Sequence, residues 1–321
     1  MRMTKYVIKR IILMFFTLFV IVTCCFILIR ILPRELPLDN NLKEVIQARW
    51  EALGYNKPLL VQYGIYLKNI FTNWDFGTSW YIQFRMPAWD VLANRLLPTV
   101  LVNFYSLLVS VPIGLALGIY AAVKKNKWQD SFISTAVMVF VSVPAYVYAF
   151  LVQYFLYFKL DWFPLVVYSL ADAGGSWFTW KMFYSMIPPI IALAFGEIAG
   201  LTRFTRAELT ETLTSDYMLL ARTKGLTRSQ ATSRHAMKNA MVPILPMILS
   251  SFIGIMSGSF IIEQIFSIPG VGTLYLRSIT LFDYDVFMLD SIFYTFIGLL
   301  AGIVIDLSYG FIDPRIRMGE K

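Results

Sequence analysis

Apolar residues gather along this chain into six long stretches separated by polar segments, and the length of those stretches decides how they fold. A membrane's hydrocarbon core is about 30 Å thick and an α-helix rises about 1.5 Å per residue, so one crossing needs roughly 20 mostly apolar residues. Runs of that size occupy about 11–29, 100–123, 132–158, 186–201, 241–262 and 288–311. They predict an all-α integral membrane protein with about six transmembrane helices. Nothing repeats at a fixed period and there is no low-complexity tract, so residues 1–321 read as a single transmembrane domain.

Two polar segments are unusually long. The first, about 33–97, lies between the first two runs and mixes charges with Trp50, Tyr63, Tyr66, Trp74 and Trp80. Within it Val45, Ile46, Trp50 and Leu53 recur at helical spacing, which predicts a short amphipathic helix ending at Gly54. It either lids the helix bundle or meets a partner.

The second, about 203–239, separates the fourth and fifth runs. Leu209 and Leu213 with Tyr217 form one apolar stripe of a short amphipathic helix, and Asp216 opens a further turn. Acid at that start and Arg222 and Lys224 near the end suit the helix dipole, while Gly225 is placed for a left-handed cap, so this helix has about two turns. Thr227 with Gln230 is a capping box that starts a third helix running through Arg234 and Lys238 towards Pro243. Two turns are marginal in isolation. Such an element packs on its own bundle or inserts Tyr217, Leu220, Ala221 and Leu226 into a partner.

Charge fixes an orientation for these spans. Arg2, Lys5, Lys9 and Arg10 precede the first run, and the segments that alternate with it hold Lys124, Lys125 and Lys127, the cluster from Arg203 to Lys238, and Arg315, Arg317 and Lys321. The short loops on the opposite side hold few basic residues, Lys159, Lys181 and Arg277. That asymmetry predicts both termini in the cytoplasm and an extracytoplasmic 33–97 segment. The first run is too long for a signal-peptide core and ends at Arg30-Ile31-Leu32-Pro33 without a small-residue cleavage site, so it is expected to be retained. The net charge of +8 then reports topology and attraction to anionic inner-leaflet lipid, not nucleic-acid binding. Composition agrees, with 58% hydrophobic and only 15% charged residues and a mean hydropathy of +0.63, too apolar for a soluble domain of this length.

Candidate chemistry is sparse. No Gly-rich loop ends in Gly-Lys-Ser/Thr, so nucleotide is expected to bind elsewhere. The one histidine, His235, and the adjacent Cys24 and Cys25 supply no zinc constellation, and no nucleophile with its base is visible, so no metal, cofactor or enzymatic activity is expected. Glu197 and Asp306 lie inside apolar runs, where a charge at the bilayer centre costs about 2.5–3.5 kcal/mol, so they line a translocation path or join helices. Small residues recur at four-residue spacing as Ser110, Gly114 and Gly118, as Ser250, Gly254 and Gly258, and as Gly298 with Gly302. Such faces allow close helix approach, within the chain or to a second subunit. Pro112, Pro144, Pro188 and Pro189 start or kink helices.

The run Asp216-Tyr217, Ala221-Arg222-Thr223-Lys224-Gly225-Leu226, and Arg234-His235-Ala236-Met237-Lys238-Asn239-Ala240 with Pro243 resembles the signature loop of the inner-membrane permeases of binding-protein-dependent ABC importers. The likeness is to the first permease of the oligopeptide, dipeptide and nickel branch. It continues through Lys9-Arg10, Arg30 to Pro33, Leu53-Gly54, Lys57-Pro58-Leu59, Gln62-Tyr63, Asp75-Phe76-Gly77-Thr78-Ser79 and Arg95-Leu96-Leu97-Pro98-Thr99. Ser142-Val143-Pro144, Arg203 to Ala207, Glu263, Phe266 and Ile268-Pro269-Gly270-Val271-Gly272 follow, then Asp283-Tyr284, Asp306 and Asp313-Pro314-Arg315-Ile316. Where the broader family has Glu-Ala-Ala, this chain has Leu219-Leu220-Ala221, so the ATPase contact made at the first of those positions is not carried over to Leu219.

The resemblance implies a type I importer permease fold in the bacterial cytoplasmic membrane. It implies as partners a second, usually different permease, two cytoplasmic ATPases that bind ATP and Mg, and an extracytoplasmic substrate-binding protein. Asp216, Tyr217, Leu220, Ala221, Arg222, Lys224, Gly225 and Leu226 would couple to an ATPase, and the cargo would be oligopeptides or dipeptides, or alternatively a nickel chelate. A self-contained secondary transporter is the rival reading; it calls for an internal repeat with paired interrupted helices, which this chain does not display.

Overall fold

The computed structural model describes residues 2–32, 40–52 and 54–312. Pro33, Leu53, the Asp313-Pro314-Arg315-Ile316 motif, Arg317 and Lys321 lie outside the described residues, as do the side chains of Arg2 and Lys5. In chain order the helices are α1 (Arg2–Ile31), α2 (Asn40–Ala52), α3 (Leu59–Asn73), α4 (Ala88–Val123), α5 (Trp128–Ser142) and α6 (Ala145–Gln153), which runs on into a π-helical segment, Tyr154–Lys159. Then come α7 (Trp180–Leu213), α8 (Asp216–Thr223), α9 (Arg228–Ala231), a π-helical turn Thr232–Ala236, α10 (Met237–Gly254), α11 (Phe260–Ile265), α12 (Val271–Thr280) and α13 (Tyr284–Ile312). A two-residue antiparallel pair, β1 (Thr78–Ser79) with β2 (Met86–Pro87), interrupts an otherwise helical chain.

Among the described residues five helical stretches are long and apolar enough to cross a membrane: Tyr6–Ile31, Ala88–Val123, Trp180–Leu213, Arg228–Ser257 and Tyr284–Ser308. The expected third span is broken. Trp128–Ser142 and Ala145–Lys159 meet at 98° and make a sixth span only when counted together. Pro144 begins α6 and holds Val143 extended at φ −90° and ψ 127°, as a residue before proline prefers. The Tyr148 hydroxyl donates to the Phe140 carbonyl, repairing one acceptor that the break releases.

The chain divides into two units, Met1–Leu97 with Pro269–Leu300 and Pro98–Ile268 with Ala301–Lys321. In the first unit, Val22, Phe26 and Ile29 of α1 pack with Met288 of α13 and with Tyr63 and Tyr66 of α3. The predicted helix near Val45 is α2; its Ile46 is buried, and Gly54 beyond it takes φ +72°. α3 is not among the predicted helices, although Leu59, Tyr63, Tyr66 and Ile70 recur at helical spacing after Pro58. Burial, reinforced by the neighbouring Asp285 carboxylate, pushes the Tyr66 phenol above the ordinary tyrosine value, so it stays protonated.

Two motifs some 200 positions apart meet in this unit. Asp283, buried at the start of α13, accepts from the Ser79 hydroxyl at 2.6 Å and from the backbone amides of Trp80, Tyr81 and Ile82 at 3.3, 3.1 and 3.0 Å. Asp285 accepts from the Thr78 amide at 3.1 Å, and a Cβ at Gly77 would overlap its carboxylate. Asp75 accepts from the Gly77 amide at 2.8 Å and pairs with Arg49 at 3.1 Å. The 75–79 turn is thus shaped around carboxylates that need glycine and backbone amides beside them.

In the second unit, Leu101 and Val102 of α4, Ala149 and Val152 of α6, Met182, Met186 and Ile190 of α7, and Ile262 and Phe266 around α11 form one core cluster. A second joins Ala122, Leu201 and Leu209 to Met218, Ala221, Ala231, Ala236, Ala240 and Ile244. Gly114 and Gly118 of α4 face α7 of the same chain: a Cβ at Gly118 would lie 2.6 Å from the Thr205 Cβ and 2.8 Å from the Thr202 carbonyl. The Thr202 hydroxyl donates to the Gly114 carbonyl at 3.2 Å. Gly254, Gly298 and Gly302 have nothing within 4 Å of a Cβ position. Gly258 is not on a helix face shared with Gly254, because α10 ends at Gly254, a tight turn covers Ile255–Ser257, and Gly258 itself takes φ +66°.

These contacts give two expected outcomes. Gly118→Val overpacks the α4–α7 contact and lowers stability by roughly 1–3 kcal/mol, whereas Gly302→Ala in open space leaves the melting temperature of the detergent-purified protein unchanged. Asp283→Ala leaves three backbone amides and a hydroxyl without their acceptor, costs at least ~3 kcal/mol, and shows as reduced membrane-inserted yield and a lower melting temperature.

Candidate functional site

The fourth span does not stop near Leu201. It continues as the single 34-residue rod α7, about 51 Å long, past the hydrocarbon run to Leu213. The expected short helix linking Leu209, Leu213 and Tyr217 is therefore corrected: Leu209 and Leu213 belong to α7 and Tyr217 to α8. The helix ends there because hydroxyls turn back on it. Thr214 donates its hydroxyl to the carbonyls of Thr210 and Glu211, and Ser215 donates to Thr212 at 2.6 Å.

After this stop Asp216 opens α8, eight residues and about two turns long, with the acid at its positive end. Gly225 takes φ +90° and closes it. The Gly225 amide donates to the Arg222 carbonyl at 3.0 Å and the Leu226 amide to the Ala221 carbonyl at 3.3 Å, the paired bonds of a Schellman turn. Thr227 then caps α9 in a complete capping box with Gln230. The chain proceeds through the π-helical turn, which carries Arg234 and His235, into α10, and it stays helical through Pro243 and Pro246.

One face of α8 is anchored. Met218 and Ala221 are buried against Leu209 of α7 and Ala231, Ala236 and Ala240, and half-buried Leu226 packs on the same cluster. The opposite face is apolar and open, with Tyr217 38%, Leu219 65% and Leu220 55% exposed. Around it Arg222, Lys224, Arg228, Arg234, His235 and Lys238 are all exposed. The partner-facing assignment of Ala221 and Leu226 changes accordingly: both look inward, because a two-turn helix covers its core with every third or fourth residue, while Leu219 lies on the open face. Met218, the principal anchor, escaped the sequence reading; its spacing of three from Ala221 was the available signal.

The other predicted residues lie apart from this loop. Glu197, on α7, accepts from the Ser251 hydroxyl of α10 at 2.7 Å. Asp306, half-buried on α13, has interactions of its own. The sequence reading also missed a tie in the second unit. Asp130 of α5, 4% exposed, receives both Nε and Nη2 of Arg206 at 2.5 and 2.9 Å, and accepts from the Asn126 amide at 3.0 Å. Arg206 falls inside the Arg203 to Ala207 motif, which was the signal for it. Thr99 donates to buried Glu263 at 2.8 Å in the same way.

Fold and loop together define an all-helical, multi-pass membrane protein whose principal loop is a braced projection with an apolar tip and a basic rim. A family model described as the binding-protein-dependent transport system inner membrane component matches residues 114–318, and the corresponding N-terminal model matches residues 3–101. The chain is 35% identical to the dipeptide transport system permease protein of Lactococcus lactis subsp. cremoris (strain MG1363), covering 98% of this chain and 100% of the relative. It is 33% identical to that of Bacillus subtilis (strain 168), covering 99% and 100%. The glutathione transport system permease protein of Escherichia coli (strain K12) is 31% identical, covering 98% and 99%. The chain belongs to the inner-membrane permease family of binding-protein-dependent transport systems.

The Asp130–Arg206 tie yields a measurable outcome. Arg206→Ala strands a buried carboxylate and lowers stability by roughly 2–4 kcal/mol, less than a fully buried pair because Arg206 is a third exposed. Arg206→Lys recovers only part of this, since an ammonium cannot reproduce the two-pronged contact; thermal unfolding of the purified variants measures both.

Proposed function

We propose that this chain is the first permease of an ABC importer for peptides, forming half of the translocation path beside a second permease. An extracytoplasmic binding protein delivers the cargo, and two cytoplasmic ATPases bind ATP and Mg and hydrolyse the nucleotide, so the chain itself is not the enzyme. Both termini and the 203–239 loop face the cytoplasm, as the lysine and arginine asymmetry supports. Dipeptides or short oligopeptides are the cargo, in keeping with the relatives named for dipeptide and glutathione transport.

One observation carries the coupling part of this reading. The α8 helix exposes Tyr217, Leu219 and Leu220 while Met218 and Ala221 fix its other face. An isolated two-turn helix would unfold in water, so an apolar tip on it is stable only because the Schellman turn and the anchors hold it. In the proposed complex this tip fills a groove of one ATPase and the basic rim surrounds it. Because Met218 and Ala221 sit in the same packed cluster as Leu209 and Ala240, pulling α8 displaces α7 and α10 as rods, and a close-packed interior passes that movement on with little loss. In this reading Glu197 and Asp306 line or flank the path, and one oxygen of Glu197 is already engaged by Ser251.

Leu219→Asp with Leu220→Asp is the direct test, because it charges the open face and spares the anchors. Membrane insertion and melting temperature stay unchanged, while ATPase co-purification and peptide uptake in vesicles fall roughly 100-fold, as expected when two leucines lose their burial. Gly225→Asp, which cannot take φ +90° easily, produces the same loss by deforming the projection. Normal co-purification and uptake in the leucine variant would sink the docking assignment.

A further inference from the structure

The turn between α4 and α5 carries three lysines that the proposed transport function does not use. It joins two apolar membrane stretches, so its four residues, Lys124-Lys125-Asn126-Lys127, lie at the membrane surface. Its backbone is fixed. Asn126 takes φ +63°, its amide donates to Asp130 at 3.0 Å, the Lys127 amide donates to the Lys124 carbonyl at 2.9 Å, and the Ser131 amide donates to the Lys127 carbonyl at 3.1 Å.

The charge there is not balanced from within this stretch. Asp130 is the one carboxylate among residues 120–135, and it is buried and taken up by Arg206, Asn126 and Ser134. Lys125 and Lys127 are exposed and Lys124 half-exposed. Directly below them on α5, Trp128 is 74% and Phe132 68% exposed, and on α4 Tyr120 is 45% exposed. Successive open positions Trp128, Phe132, Thr135 and Val139 carry this face down the helix into the apolar stretch. Ammonium groups above, an indole at the boundary and apolar side chains beneath follow the order of an anionic lipid: phosphate, glycerol level, acyl chain.

We infer that Lys124, Lys125 and Lys127 with Trp128 form a site for the headgroup of an anionic phospholipid, its acyl chain lying along Phe132 and Val139. The locked turn presents the three ammonium groups without first having to order the backbone, and burial of Asp130 removes the competing carboxylate. Seating the lipid here braces the end of α4 and, through Asp130 and Arg206, the part of α7 that leads towards α8. That coupling to transport rests on the function proposed above; the lipid site itself does not.

The full-length chain alone, in nanodiscs of phosphatidylcholine with a minority of phosphatidylglycerol, tests the site. Either lipid is brominated in turn near the headgroup end of its acyl chain, and Trp128 quenching is the difference between the parent protein and Trp128→Phe. Brominated phosphatidylglycerol is expected to quench Trp128 at least about twofold more than brominated phosphatidylcholine at matched mole fraction. The preference disappears in Lys124→Gln/Lys125→Gln/Lys127→Gln, whose Trp128 is still quenched by both lipids and whose melting temperature is unchanged.

Equal quenching by the two lipids, a preference that survives in the lysine variant, or a Trp128 that neither lipid quenches overturns the site. If the lysine variant keeps its lipid preference but loses ATPase co-purification, the turn is a protein contact and the proposal fails. A nanodisc exposes both faces and contains no ATPase, so this readout is independent of the orientation and coupling proposed above.

Discussion

In hydrocarbon a peptide N–H or C=O has no water to turn to, so every interruption of a helix within a span has to be repaired by another group of the protein. The second unit bears the marks of that constraint wherever its helices stop. The α5–α6 break hands a carbonyl at Phe140 to the Tyr148 hydroxyl. Gln153, almost fully buried, donates to the carbonyls of Leu165 and Ile265 at 2.9 and 3.1 Å, and the Val167 amide reaches the Phe266 carbonyl at 2.9 Å. Ser185 accepts from the Tyr168 amide. The bonds to Ile265, Phe266 and Ser185 link the irregular 143–170 region to α11 and α7, pieces that share one core cluster. The breaks that let the helices bend are the same places that bind them together.

That constraint also explains what could be read from residue order. The span runs are legible because lipid demands length and apolarity of a contiguous segment, and both are local properties. The Gly225 turn and the Thr227 cap are legible for a similar reason: their hydrogen bonds close within six residues. Orientation of a short helix about its own axis is not local. Ala221 and Leu226 are apolar, equally suited to a partner or to a core, and only the positions of Leu209, Ala231 and Ala236 decide that they turn inward. In α3 the spacing of Leu59, Tyr63, Tyr66 and Ile70 is local and legible, whereas the partners Phe26 and Met288 that receive Tyr63 and Tyr66 are not.

The extent of α7 was hidden by a different effect. Arg203, Arg206 and Glu208 end the apolar run, and hydropathy therefore places the end of the span near Leu201. Backbone hydrogen bonding does not stop where lipid stops, and Arg206 is accommodated because Asp130 waits on α5. Helix ends are chosen by Thr214 and Ser215, whose hydroxyls take the carbonyls of the last turn. The result is one rod, Trp180–Leu213, whose far end packs with α8 in a single cluster.

The acidic residues complete the argument about what the spans can do. Asp130 is taken up by Arg206, Asp283 by the 79–82 turn, Glu263 by Thr99 and Glu197 by Ser251, each a tie between elements far apart in sequence. A permease that must release its cargo gains little from strong charged hooks in the membrane, where low dielectric would make an ion pair with a peptide terminus slow to break. Using carboxylates to join helices resolves that conflict. Glu197 ties α7 to α10 in this way, and the oxygen that accepts from Ser251 would have to leave that hydroxyl to meet any other donor.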